Sequence, residues 1–191
     1  MNHYFLVSSL PLLQLGHKPL LSLTAFLTLC ETHLTPNDHS VLLDLLTSNG
    51  ENNSHPFARE WLDRETELRN EIARFRSQKK PHVSETWHRT QQGARVFIQA
   101  AVANSFQAPD PLERERSLDQ LRWTILDELA GLDPFSTESV FSYGLRLRMA
   151  CRWAAFDQDS GLTLLEHATA SVANKGLKHA FVFIPKQVAS A

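Results

Sequence analysis

The stretch that decides the fold is Asp110–Trp153, DPLERERSLDQLRWTILDELAGLDPFSTESVFSYGLRLRMACRW. Asp110-Pro111 reads as a helix start. The Asp carboxylate accepts from first-turn backbone N–H groups, and Pro at the first helical position gives up no donor that the helix needs. Leu112, Leu118, Leu121, Ile125, Leu126 and Leu129 follow at helical spacing. Gly131 predicts a left-handed stop. Ser136, with Glu138 close behind, opens a second helix carrying Val140, Phe141, Tyr143, Leu147, Cys151 and Phe156. No strand alternation interrupts either segment.

The same grammar extends in both directions. Ser22 is an N-cap candidate for a helix bearing Leu23, Phe26, Leu27 and Cys30. Thr35-Pro36 opens the next, with Val41, Leu42, Leu45 and Leu46 as its buried stripe. Residues 47–54 (TSNGENNS) read as a polar linker. A long helix is predicted from His55 to Lys79, with Phe57, Trp61, Leu68, Ile72 and Phe75 on one stripe. Glu60–Arg64 and Glu65–Arg69 are favourable i,i+4 pairs on it, and Lys80-Pro81 stops it. Ser84 is expected to cap a helix through Phe106, with Trp87, Ala94, Phe97, Ile98, Ala101 and Val102 facing a core. A last helix runs from Ser160 to Gly176 with Leu162, Leu165, Ala168 and Val172, and Ala180–Pro185 is an apolar, irregular end. Trp61, Trp87, Trp123 and Trp153 fall one to each long helix and read as core anchors. Hairpin chemistry is scarce: seven Gly in all, and Asn49-Gly50 as the one Asn-Gly. The expectation is an all-α, elongated helical bundle, a single domain over 1–191. A division into two packed subdomains stays open, with a boundary near 81 or 109.

Of the 191 residues, 42% are hydrophobic and 21% charged, which excludes a wholly disordered chain. Nineteen Lys plus Arg against twenty-one Asp plus Glu give a formal charge of -2, an argument against a dedicated nucleic-acid binder. Cys30 and Cys151 are far apart with no CxxC, the usage of a reducing compartment. The apolar N-terminus has no basic residue before it and is interrupted by Pro11, a poor signal peptide. No apolar run approaches the roughly 20 residues of a membrane helix. The expected location is cytoplasmic, or attached to a membrane only through a partner.

Nine histidines raise a metal enzyme, but HxxxH, HExxH and Cys/His clusters are missing. Glu85–His88 fits ExxH once, where a di-iron bundle needs it twice. Phosphate-cradling GxxxxGK[ST], GxGxxG and the GxSxG elbow are absent too. The helix carboxylates lie mostly beside Arg or Lys and read as a solvated, ion-paired face. No catalytic, cofactor or metal residue is assigned. The basic group Arg74, Arg76, Lys79 and Lys80, with His82, His88 and Arg89 nearby, is the candidate partner surface. Dipole complementarity and solubility account for the same residues. Arg146, Arg148 and Arg152 form a second group, where burial against Asp127 or Glu128 is expected for at least one.

Tyr4-Phe5-Leu6, Ser8-Ser9-Leu10-Pro11, Asp127-Glu128-Leu129 and Tyr143-Gly144-Leu145-Arg146-Leu147 leading to Arg152-Trp153 carry a resemblance. Over about His3 to Gly176 the chain resembles an uncharacterised bacterial family encoded in V-type ATPase operons. That family looks like a shortened form of the ATPase's C-subunit, the all-helical protein that seats the central stalk on the membrane ring. The resemblance implies a non-catalytic component or assembly factor whose partners are other V-type ATPase subunits, those of the stalk or the ring, and no cofactor. The chain is shorter than the C-subunit, and Pro11 breaks what would be a longer N-terminal helix. A helical interaction adaptor unrelated to the ATPase is the alternative.

Overall fold

A computed structural model describes residues 3–47, 54–78, 89, 93–156, 161, 163 and 166–170. Seven helices are bounded among them: α1 (Tyr4–Ser9), α2 (Leu23–His33), α3 (Pro36–Thr47), α4 (Pro56–Gln78), α5 (Val96–Ser105), α6 (Pro111–Ala130) and α7 (Thr137–Ala154). No strand occurs among the described residues, and the fold is an all-α helical bundle. No described helix is long and apolar enough to cross a membrane.

The helix starts follow their caps. Ser22 Oγ accepts from Ala25 N at 3.1 Å. Thr35 Oγ1 accepts from Asp38 N at 3.1 Å and donates to the Asp38 carboxylate at 2.7 Å, which puts an acid at the positive end of α3. Asp110 Oδ1 accepts from Leu112 N at 3.0 Å, and Ser136 Oγ accepts from Ser139 N at 3.2 Å. Gly131 ends α6 at φ 73°, ψ -160°. Its φ is positive as expected, but its ψ is extended instead of left-handed helical. Leu10 ends α1 with extended ψ 131°, where the ring of Pro11 disfavours helix.

The chain divides into two compact units, Met1–Trp153 and Ala154–Ala191. The first holds one continuous apolar core to which all seven helices contribute. Phe26, Leu42, Leu45, Leu68, Ile98, Leu118, Ile125, Phe141 and Leu145 are fully buried in it. Helices α4, α5 and α6 pack on one another, so the positions near 81 and 109 fall inside this unit. Gly144 lets α7 approach α2 and α3: a Cβ there would lie 2.9 Å from Phe26 Cε1 and 3.0 Å from Leu42 Cδ1. In the second unit, residues 161, 163 and 166–170 are helical and Ala168 is exposed. Leu162, Leu165, Val172, Gly176 and the 180–185 segment lie outside the described residues, as do Asn49-Gly50 and most of the polar linker.

Four expectations are corrected. The helix expected over Ser84–Phe106 is not continuous, because residues 93–95 are non-helical and α5 begins at Val96. Gly93 takes φ +83°, and the Arg95 backbone N–H is spent on the Glu67 carboxylate of α4. Phe97, expected inside, is 40% exposed, while Ile98 and Val102 are buried. Helix α7 ends at Ala154, short of Phe156, which is exposed. Among the Trp anchors, Trp61 and Trp153 are buried, Trp123 is only partly covered, and Trp87 lies outside the described residues.

Candidate functional site

Helix α4 is long, and its charged residues are distributed round its circumference. On one side Glu67 is fully buried and holds Arg95 at 2.8 Å, with Asp63 at 3.1 Å and Glu60 at 3.7 Å from the same guanidinium. The hydrogen bond to Glu67 is the main reason the Arg95 pKa lies above its ordinary value. On another face Glu65 takes Arg122 in a two-point contact, 2.9 and 3.2 Å, and Arg69 at 2.8 Å. The expected solvated carboxylate face is therefore corrected: Glu65, Glu67, Glu71 and Asp119 are buried. They are tolerated because each is paired with at least one guanidinium. The two i,i+4 pairs read from the sequence do form, Glu65–Arg69 at 2.8 Å and Glu60–Arg64 at 4.0 Å.

Asp119 is the centre of the second network. It accepts from Arg122 Nη1 at 2.9 Å, from Trp153 Nε1 at 2.7 Å and from Arg152. Burial opposes the charge of Arg122, but Glu65 and Asp119 outweigh it and hold its pKa above the ordinary value. Around these residues opens a cleft of about 650 Å³. Residues 61, 62, 65, 66 and 69 of α4 line it, with 119 and 122 of α6, 145, 148, 149 and 152 of α7, and Arg89. The spacings on α4 and α7 are those of one helix face. Asn70 fixes Arg89 at the rim by pairing with its backbone, Nδ2 to the carbonyl at 2.8 Å and Oδ1 from the N–H at 3.0 Å. Arg148 reaches the last turn of α3 and donates to the carbonyls of Leu46 at 3.0 Å and Leu45 at 3.2 Å, the electronegative end of that helix.

A second crevice, about 440 Å³, lies at another place on the same unit. Val7 and residues 10–13 form one wall, and Trp123, Asp127, Tyr143 and Arg146 lie on the other. The Tyr143 hydroxyl donates to the Pro11 carbonyl at 2.9 Å, and burial pushes its pKa up to about 12. Arg146 pairs with Asp127 and lies over the Trp123 ring at 5.4 Å. Burial lowers its pKa and Asp127 opposes that shift. Beside the crevice, the His3 N–H donates to the Phe135 carbonyl at 2.8 Å, and Tyr4 stacks at a tilt on Phe135 at 4.9 Å. Phe5 is 81% exposed, and Leu132 in the α6–α7 turn is fully exposed.

Of the four residues of the expected partner surface, Arg74 pairs with Glu71 at 2.8 Å and Arg76 approaches Glu115 at 3.8 Å. Lys79 and Lys80 lie outside the described residues, as do His82, Glu85 and His88. Arg146 meets Asp127 as expected, and Arg148 and Arg152 face the cleft. Sequence reasoning missed Arg69, Arg122, Glu65 and Asp119 as a group. The legible sign was the like-charged i,i+4 pair Arg148–Arg152 on the face that carries Leu145 and Met149, an arrangement that is unfavourable without compensation. No three His, Cys, Asp or Glu side chains gather as a metal set among the described residues. Cys30 and Cys151 are free thiols.

Residues 93–169, covering α5 to α7 and less than half of the chain, match a family described as protein of unknown function (DUF2764). No curated protein and no solved structure gives a significant match.

Proposed function

We propose that the chain is a non-catalytic component or assembly factor of a bacterial V-type ATPase, similar to its C-subunit, coupling the central stalk to the membrane ring by binding other subunits. One observation carries the reading. Leu10 and Pro11 from the first stretch of the resemblance, and Asp127, Tyr143 and Arg146 from the second, are more than 100 positions apart, yet they line one crevice. Phe5 and Leu132, close in sequence to the crevice residues Val7 and Gly131, are large exposed apolar side chains. Rigid aromatic and aliphatic residues on a surface are the side chains that anchor protein interfaces. The ionised groups of the other cleft bond mainly to one another and to helix ends, which fixes helices in place. In this reading the helical unit is a rigid coupler, and ATP chemistry belongs to its partners.

Affinity purification of the full chain in gentle detergent, from cells that express the ATPase, tests this. Recovery of stalk or ring subunits is expected. Recovery of other proteins without any ATPase subunit would favour the unrelated adaptor.

A further inference from the structure

Among the described residues, the cleft between α4, α6 and α7 carries more guanidiniums than carboxylates. Among the described residues five guanidiniums, Arg69, Arg89, Arg122, Arg148 and Arg152, line it beside two carboxylates, Glu65 and Asp119. Arg69 and Arg122 divide Glu65, and Arg122 and Arg152 divide Asp119. Among the described residues Arg148 has hydrogen bonds only to the neutral carbonyls of Leu45 and Leu46. Burial first, and then repulsion from Arg152, Arg69 and Arg122, hold its pKa below the ordinary value, with Glu65 opposing. Arg122 and Arg148 are largely buried, where repulsion between like charges is less screened by water.

An excess of guanidiniums over carboxylates in the described lining suits a multiply charged oxyanion better than a single carboxylate. Guanidinium forks match phosphate oxygens in two-point contacts. The cleft, about 650 Å³, has the size of a small-molecule site, and Trp61, Leu62, Leu145 and Met149 supply an apolar wall for an organic part. We propose that this cleft binds a small molecule bearing a phosphate or diphosphate group, gripped by Arg69, Arg148 and Arg152. Recognition is by side-chain forks, without a backbone phosphate loop, and involves no hydrolysis. It stands independently of the ATPase reading, since it rests on the cleft alone.

Calorimetric titration of the full chain tests it, with pyrophosphate, inorganic phosphate and AMP as probes at ionic strength fixed by chloride. Arg69 and Arg152 have side chains 51% and 53% exposed, so Arg69→Ser/Arg152→Ser is expected to stay folded, checked by its melting curve. Saturable one-to-one binding of pyrophosphate or AMP is expected, weakened at least tenfold in that variant. Arg69→Lys/Arg152→Lys keeps the charge without the fork and is expected to lose several-fold. Tighter AMP than pyrophosphate assigns an organic monophosphate, and the reverse assigns a diphosphate. No saturable binding, or binding unchanged in the Ser variant, overturns the proposal. An acidic hexapeptide binding as tightly as pyrophosphate also overturns it, in favour of a carboxylate-bearing partner.

Discussion

Replacing Asp119 by Ala removes the acceptor on which α6 and α7 converge. Its carboxylate has no exposed surface and takes Arg122, Arg152 and the Trp153 indole. The Trp153 N–H, 2.7 Å from Asp119 and on a buried ring, is left without that acceptor, which costs about 1–3 kcal/mol. Arg122 keeps both bonds to Glu65 and loses one charge-assisted bond, about 1.5–3 kcal/mol. Arg152 is half-exposed and rehydrates, so its share is at most about 1 kcal/mol. The sum centres on about 3–5 kcal/mol, the usual cost of removing one partner of a buried ion pair. With a urea slope of about 2 kcal/mol/M, the unfolding midpoint falls by roughly 1.5–2.5 M. Asp119→Asn retains an acceptor for the indole and is expected to lose about half as much. A double-mutant cycle with Arg122→Met isolates the coupling of the pair. Loss of under about 1 kcal/mol in Asp119→Ala would refute a network organised on this carboxylate.

Burial pushes the Cys30 thiol from a usual value near 9.0 up to about 12. The unfolded thiol therefore ionises first, so its contribution to stability is complete below pH 9 and is lost as pH rises to about 12. At about pH 8, Ellman's reagent should label Cys30 only after denaturant is added, and rapid labelling in the native protein would contradict its burial. Gly144→Ala forces Phe26 and Leu42 to shift and should cost about 1–3 kcal/mol, reduced by up to about 1 kcal/mol of gained helix propensity. A rise in melting temperature would show that α7 does not approach α2 and α3 closely. Trp123→Ala should cost less than the about 3–5 kcal/mol of a fully buried aromatic, because the ring is partly open and capped by Arg146. A full loss in urea titration would place Trp123 in the core.

Legibility followed the range of the interaction. Ser22, Thr35, Asp110 and Ser136 announce helix starts because a cap and its N–H lie within three residues. The stripe Val41, Leu42, Leu45 and Leu46 was readable for the same reason, and all four are buried. The start of α5 was not readable, since Arg95 is held by Glu67 and Asp63, about 30 positions earlier on another helix. Helix α1 has six residues and gave no period; it rests on His3 meeting Phe135 and Thr137 across the fold. The cleft was hidden most fully. Glu65, Asp119 and Arg148 come from three helices, and their neighbours in the sequence suggested ordinary surface pairs.

Docking of an ATPase subunit at the crevice is the most direct consequence of the proposed function. Two full-length variants, each checked for an unchanged melting curve, test it side by side in the same affinity purification. Phe5→Asp/Leu132→Asp places charge on two exposed apolar side chains near the crevice residues in sequence, and Arg74→Glu/Arg76→Glu/Lys79→Glu/Lys80→Glu reverses the basic group. The first variant is predicted to lose the stalk or ring subunits recovered with the unaltered chain. The second should retain them, with slower association that depends on salt. Undiminished recovery with Phe5→Asp/Leu132→Asp would contradict docking at the crevice.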